Sequence, residues 1–222
     1  MINNRYTLQK KIVSGLGLAN KGLYKDTKNK STVFVKIGSN RPLLEREYKG
    51  HQLFYEKYKE IGKTDVVIPK PIKITKVKNN SALIMEYIPD IQTLASADDE
   101  TRTKAYMEVL KLLGKVNKSF DFVNNVRIMK RLPLYQFSTI PYFLLKNVVH
   151  YPTHAVLFIH AFFKIMRNVP GWLKLSSYYL CHGDINVGNV LLSGKKIVLI
   201  DFANVCVSHR YYDISRVLNS SW

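Results

Sequence analysis

The stretch "CHGDINVGNVLLSGKKIVLIDF", from Cys181 to Phe202, decides how this chain folds. It carries Asp184 and Asp201 in a region that is nearly free of acids. No Asp or Glu lies between Asp121 and Asp184, and only Asp213 follows Asp201. Two apolar runs joined by the polar turn "SGKK" predict short strands around 189–192 and 196–200. The strand–turn–strand places two carboxylates and the Asn189 amide on loops at one edge.

Phosphoryl transfer uses such a set. One carboxylate orients the attacking hydroxyl and accepts its proton, while an amide and a second carboxylate hold Mg²⁺ on a triphosphate. The spacing D-x-x-x-x-N matters because the amide must fold back beside the base, and a four-residue loop permits that. Alone, the spacing is common by chance. The preceding His182-Gly183, the apolar run and the closing Asp201-Phe202 make the joint pattern specific. The plainer reading is a pair of turn aspartates capping strands.

Upstream, "QKKIVSGLGLANKGLYK" (9–25) reads as strand, glycine-bearing loop and strand, followed by a polar turn and the β-branched strand "STVFVKIG" (31–38). Residues 42–60 predict a helix entered at Pro42. On a helical wheel Leu44, Tyr48, His51 and Tyr55 share a face with Glu47 beside it, while Glu45 and Glu56 point away. "VVIPKPIKITKVKNN" and "SALIMEYIPD" add two strands. After Pro89 a helix-start signal at Ser96 and Asp98 opens a helical region. A strand-rich lobe, 1–88, thus precedes a helix-rich lobe, 89–222, with a hinge near Glu86–Asp90. "AVLFIHAFF" (155–163) is too short and too polar in its flanks for a membrane span, so the expectation is a buried helix.

These residues resemble the kinase-like superfamily, and most closely its aminoglycoside phosphotransferase and choline kinase branch. The resemblance is carried by His182, Gly183, Asp184, Asn189, Ile200, Asp201 and Phe202, with Tyr212-Asp213-Ile214. It implies an α+β, two-lobe kinase-like fold: an antiparallel N-lobe sheet with one helix, then a mostly helical C-lobe. It implies ATP and Mg²⁺, with Asp184 as base, Asn189 and Asp201 as metal ligands, and Asp213 bracing the catalytic loop. Lys36 would neutralise the nucleotide phosphates, fixed by Glu47, with Glu45 as second candidate. Gly15 and Gly17 would bring backbone N–H groups to the phosphates. Met85 would lie behind the adenine, with the Glu86 carbonyl and Ile88 amide on its edge. Departures narrow the class. Gly183 stands where protein kinases have Arg, Ala203 stands for the Gly of D-F-G, and no A-P-E appears. Eleven residues between Asp201 and Asp213 leave little room for a peptide platform, so a small-molecule kinase is favoured over a minimal protein kinase. Relatives in the family continue with further helices past the position of Trp222, which implies a truncated copy, a fragment or a minimal kinase.

The chain has 222 residues, 46% of them hydrophobic, enough for real cores. Two cysteines make no disulfide framework, and the start lacks a signal-peptide pattern; a cytoplasmic setting fits. A formal charge of +18 favours anionic partners, among them an acidic membrane surface that would hold the protein peripherally. A non-catalytic ATP- or RNA-binding module is the rival reading, yet no nucleic-acid motif accompanies the charge. Thirteen acids lie in 1–121 and three in 122–222. The span 122–183 has none, but it has Arg127, Lys130, Arg131, Lys146, Lys164, Arg167 and Lys174. With Tyr135, Tyr142 and Phe143, these are expected to flank the acceptor side of the cleft. That favours a neutral or anionic small molecule, sugar or lipid-linked saccharide over a polycation.

Overall fold

The computed structural model describes residues 2, 5–12, 20–118, 142, 146–174, 178–209 and 211–220. The chain forms two compact units: residues 1–120, 182–205 and 213–222 make the first, 121–181 and 206–212 the second.

The first unit opens with β1 (Tyr6–Ile12), β2 (Asn20–Asp26) and β3 (Ser31–Gly38). Then come α1 (Arg41–Ile61), β4 (Val66–Val67), β5 (Pro71–Val77) and β6 (Asn80–Glu86). Five of these strands form an antiparallel sheet in the order β1-β2-β3-β6-β5. Alternation along β3 splits its residues between two faces. Val33 and Val35 pack with Tyr6, Tyr24, Ala82 and Ile84 on one side. Phe34 lies on the other side with Leu83 and Met85, against Leu44 and Tyr48 of α1. Lys36, two residues on from Phe34, therefore projects to the α1 side. The β2–β3 turn is anchored by Asp26, whose carboxylate accepts from Arg5 Nε at 2.7 Å and Nη2 at 2.6 Å. That guanidinium holds the Asp26 carboxyl down at about 2.

Helix α1 starts where Asn40 Oδ1 accepts the Leu43 N–H at 3.1 Å, with Pro42 in the first turn where a missing N–H costs nothing. Its buried residues are Leu44, Glu47, Gly50, His51 and Phe54. The face is therefore centred nearer Glu47 and Phe54 than the wheel suggested, and Tyr55 is displaced from the core by Phe54. A wheel weights Tyr and Phe alike, but a buried Tyr hydroxyl needs a partner and Phe does not.

After β6 come β7 (Ile91–Thr93), a 3-10 turn and α2 (Asp99–Lys118). Asp98 caps α2, its Oδ1 accepting the Thr101 N–H at 2.7 Å. The hairpin expected from the opening stretch forms as β9 (Val190–Ser193) and β10 (Lys196–Leu199). It sits in a second sheet of order β4-β10-β9-β7. The three-residue strand β7 was not legible, because three exposed residues give no periodicity.

In the second unit, α3 (Ala155–Lys174) forms where a helix was expected, and β8 (Tyr178–Cys181) pairs antiparallel with β11 (Cys206–His209). The expectation that 155–163 is buried is corrected: Val156, Leu157, Ile159 and Phe163 are exposed, Val156 to 78% and Phe163 to 65%. Apolar residues lie around most of this helix, so its sequence could not say which were covered. Among the described residues, no helix is long and apolar enough to cross a membrane. The final helix, α4 (Tyr212–Ser220), begins at the boundary of the units and carries Asp213 in the first.

Candidate active site

β3 delivers Lys36 and α1 delivers Glu47, and their side chains meet with Lys36 Nζ donating to Glu47 Oε2 at 2.7 Å. Asp201 Oδ2 lies 3.6 Å from the same ammonium. Burial opposes the charge on Lys36, but the two carboxylates outweigh it and hold the ammonium above its ordinary value. Burial likewise pushes the Glu47 carboxyl up, with Lys36 opposing it. At 2.7 Å from Glu47, and with Asp201 also favouring the ammonium, Lys36 forms an ion pair with Glu47. Glu45, the second candidate, faces outward and pairs with Arg41 at 2.6 Å.

Strand β10 is buried from Ile197 to Leu199, and one residue past it, after Ile200, Asp201 takes a left-handed conformation with φ 64°. Aspartate tolerates that conformation better than most side chains do. Phe202 follows, fully buried. Its ring stacks on His51 of α1 with centroids 4.5 Å apart and meets His182 edge-on at 4.9 Å. Phe54 lies 5.4 Å away on the third side. Helix α1 can come this close because residue 50 is Gly; a Cβ there would lie 2.9 Å from the Phe202 carbonyl oxygen. The helix that carries Glu47 is thus keyed to the turn that carries Asp201.

Both histidines of this stack serve as neutral donors. His51 Nε2 is 2.6 Å from the Pro69 carbonyl, and His182 Nε2 is 3.0 Å from the Ile200 carbonyl. A carbonyl only accepts, so Nε2 carries the proton in each. Burial lowers His51 to about 4 and also lowers His182.

Asp184 lies on the loop between His182 and β9, and three amides surround it. Asn186 Nδ2 donates to Oδ1 at 3.1 Å, and Asn189 Nδ2 donates to Oδ2 at 3.2 Å and to the Asp184 carbonyl at 2.8 Å. Asn204 Nδ2 reaches Oδ2 at 3.4 Å. Asn189 was singled out from the sequence; Asn186 and Asn204 were not. Asn186 had a local signal, an amide two residues after an aspartate, which readily turns back on it. Asn204 had none, because only the fold brings 204 to 184.

Asp213 accepts the His182 and Gly183 backbone N–H groups, each at 2.8 Å, and so pins the loop from both amides. Burial pushes its carboxyl up, and the two backbone hydrogen bonds it accepts oppose that rise. Gly183 has φ 86°, and a Cβ there would lie 2.1 Å from the Asn204 carbonyl oxygen. The Gly of H-G-D is therefore a steric requirement of this loop pairing.

Lys36, Glu47 and Asp201 open onto a solvent-connected cleft. Phe34, Met85, Leu191 and Val198 supply apolar walls, and Glu86, Tyr87 and Ile88 form one rim. Met85 ends the buried run of β6, and Ile88 lies past the strand. The Glu86 carboxylate is turned to the Lys70 N–H at 2.9 Å. Gly15 and Gly17 lie outside the described residues, as do Arg127, Lys130, Arg131, Tyr135 and Phe143. Tyr142, Lys146, Lys164 and Arg167 are exposed in the second unit.

A family model described as the phosphotransferase enzyme family matches residues 16–222. No curated protein matches the chain. Among solved structures, the chain is similar to the amicoumacin kinase hAmiN bound to AMP-PNP, Ca²⁺ and Ami. The TM-score is 0.64 at 18% identity, covering 98% of this chain and 64% of that one. It is similar to the spectinomycin phosphotransferase APH(9)-Ia in complex with ADP and spectinomycin, with TM-score 0.59 at 15% identity, covering 94% and 69%. It is also similar to a thermostable mutant of the aminoglycoside phosphotransferase APH(4)-Ia, with TM-score 0.64 at 12% identity, covering 95% and 72%. At these identities the likeness shows the fold, an α+β kinase-like fold with an antiparallel N-terminal sheet. The chain spans about two thirds of the length of these structures.

Proposed function

The chain belongs to the phosphotransferase enzyme family, and from that premise we propose that it transfers the γ-phosphoryl group of ATP, with Mg²⁺, to a hydroxyl of a small molecule. In this reading residues 1–88 form the nucleotide-binding lobe, and 89–222 bear the catalytic and metal-binding loops. The observation that carries it is the chain of charges Glu47–Lys36–Asp201 at the end of an apolar cleft, with contacts of 2.7 and 3.6 Å. A cation fixed between two carboxylates and still exposed on one side is suited to a phosphate group.

Asp184 accepts the proton of the acceptor hydroxyl, and its surrounding amides hold the carboxylate in one orientation. Lys36 binds the phosphates, and Glu47 fixes Lys36. Met85 covers the adenine, while the Glu86 carbonyl and Ile88 amide pair with its edge. Gly15 and Gly17 bring N–H groups to the phosphates. Asp201 and Asn189 would hold Mg²⁺. The donor set fits a hard cation: Asp201 offers a part-exposed carboxylate, and Asn189 spends its NH₂ on Asp184, which leaves its carbonyl oxygen for a metal. When bound, Mg²⁺ supplies neutralising charge on the phosphates.

The acid-free span 122–183 supports a neutral or anionic acceptor, a sugar or lipid-linked saccharide. The solved relatives named with spectinomycin or amicoumacin do not fix the acceptor of this chain. A cytoplasmic setting with an acidic membrane surface as second contact accords with the +18 charge. A screen of hydroxyl compounds by ATP consumption tests the reading, with neutral sugars, anionic saccharides and kanamycin-type polycations as its arms. Turnover on the first two is expected. Efficient phosphorylation of the polycations would overturn the charge argument. Salt-sensitive RNA retention without any turnover would favour the binding-module reading.

A further inference from the structure

Lys21 lies directly opposite Lys36 in the β2–β3 ladder. Residues directly opposite in an antiparallel pair project to the same face. The buried residues of β2 are Gly22, Tyr24 and Asp26, which face the other way. Lys21 is half-buried and lines the same cleft as Lys36, Glu47 and Asp201. It is near enough to Glu47 to favour its ionised form. Yet among the described residues no carboxylate comes within 4.0 Å of the Lys21 ammonium; Glu47 and Asp201 both pair with Lys36 instead.

A half-buried cation without a partner loses hydration and gains little in return, unless a ligand brings the anion. The charge count at this end of the cleft points the same way. Lys36, Glu47 and Asp201 together carry one net negative charge, which opposes a polyphosphate; Lys21 brings the sum to zero. Sequence alone gave no reason to single out Lys21 from the chain's other lysines, because register and not local pattern sets it beside Lys36.

We propose that Lys21 is a second phosphate-binding cation, which grips the polyphosphate of the nucleotide from β2 while Lys36 grips it from β3. This rests on the reading of the cleft as a nucleotide site. The chemistry recognised is a chain of phosphates rather than the base, so the contribution of Lys21 grows with phosphate number.

Calorimetric titration of ATP, ADP and adenosine with Mg²⁺ into the wild type, Lys21→Met, Lys21→Arg and Lys36→Met tests this. Lys21→Met keeps the aliphatic stem and loses the charge. It should weaken ATP about tenfold, the worth of one charge-assisted bond, ADP by less, and adenosine not at all. Lys21→Arg should recover most of the loss. The difference between wild type and Lys21→Met should shrink as salt is raised to about 0.5 M. Unchanged ATP affinity in Lys21→Met, or equal weakening of ATP and adenosine, overturns the proposal. If Lys36→Met weakens ATP while Lys21→Met does not, only Lys21 falls and the nucleotide site stands. If the wild type binds no ATP, both fall.

Discussion

Replacing Gly183 by Ala puts the loop pairing at the centre of the site to a quantitative test. The backbone there has φ 86°, and the added Cβ would lie 2.1 Å from the Asn204 carbonyl oxygen. An L-residue in left-handed conformation costs about 1–2 kcal/mol. The overlap adds to it. Ordinary contact begins near 3.4 Å, so residue 204 must retreat by more than an ångström, a repacking of the kind that costs about 1–3 kcal/mol. The sum is about 2–5 kcal/mol. Residue 204 is three positions from Asp201, so its retreat also misplaces the proposed metal ligand and the Asn204 bond to Asp184. Urea denaturation with and without Mg-ATP measures both effects. Gly183→Ala should lower the midpoint, and added Mg-ATP should recover less stability than in the wild type. A variant within about 0.5 kcal/mol of wild type and equally stabilised by Mg-ATP would refute the steric reasoning.

Three further outcomes are expected. Glu47→Gln should lower turnover without unfolding, while Glu45→Gln, which breaks only the surface pair with Arg41, should leave it within about twofold; steady-state kinetics separates them. His51 is held at about 4 by burial, below its ordinary 6.5. Its share of stability is thus fully present above pH 6.5 and is lost as pH falls from 6.5 toward 4, a decline of order 3 kcal/mol that His51→Phe should lessen in denaturation curves taken across that window. Asp201→Ala should weaken ATP binding in the presence of Mg²⁺ far more than in its absence, because the proposed contact is to the metal; paired titrations read the difference.

The sequence was most informative where local pattern and tertiary role coincide. The β-branched run 31–38 was legible as a strand and forms β3, which carries Lys36. The hairpin of β9 and β10 was bounded by its own polar turn. Glu47 was separable from Glu45 because Leu44, Tyr48, His51 and Tyr55 fixed a rough helical phase, though the phase missed Phe54. What stayed hidden depended on chain crossings. Asn204 reaches Asp184, Lys21 stands beside Lys36, and the rings of His51 and Phe202 stack across 151 positions of sequence, none of which periodicity encodes. The exposure of α3 was missed for a related reason: a helix apolar around most of its circumference has no legible inner face. Gly183 was legible as a departure from H-R-D, but its reason, the carbonyl of Asn204, was not.

The central claim is that Asp184 serves phosphoryl transfer to a hydroxyl, and the most direct measurement is the chemical identity of the product. Wild type and Asp184→Asn would each be incubated with ATP, Mg²⁺ and the best acceptor from the screen, and followed by ³¹P nuclear magnetic resonance. The wild type should convert γ-phosphate into a phosphate monoester of the acceptor. Asp184→Asn should bind ATP alike but form the monoester about 10²–10⁴-fold more slowly, since an amide cannot take the hydroxyl proton. Monoester formation at the wild-type rate by Asp184→Asn would contradict the account, as would release of inorganic phosphate alone by the wild type.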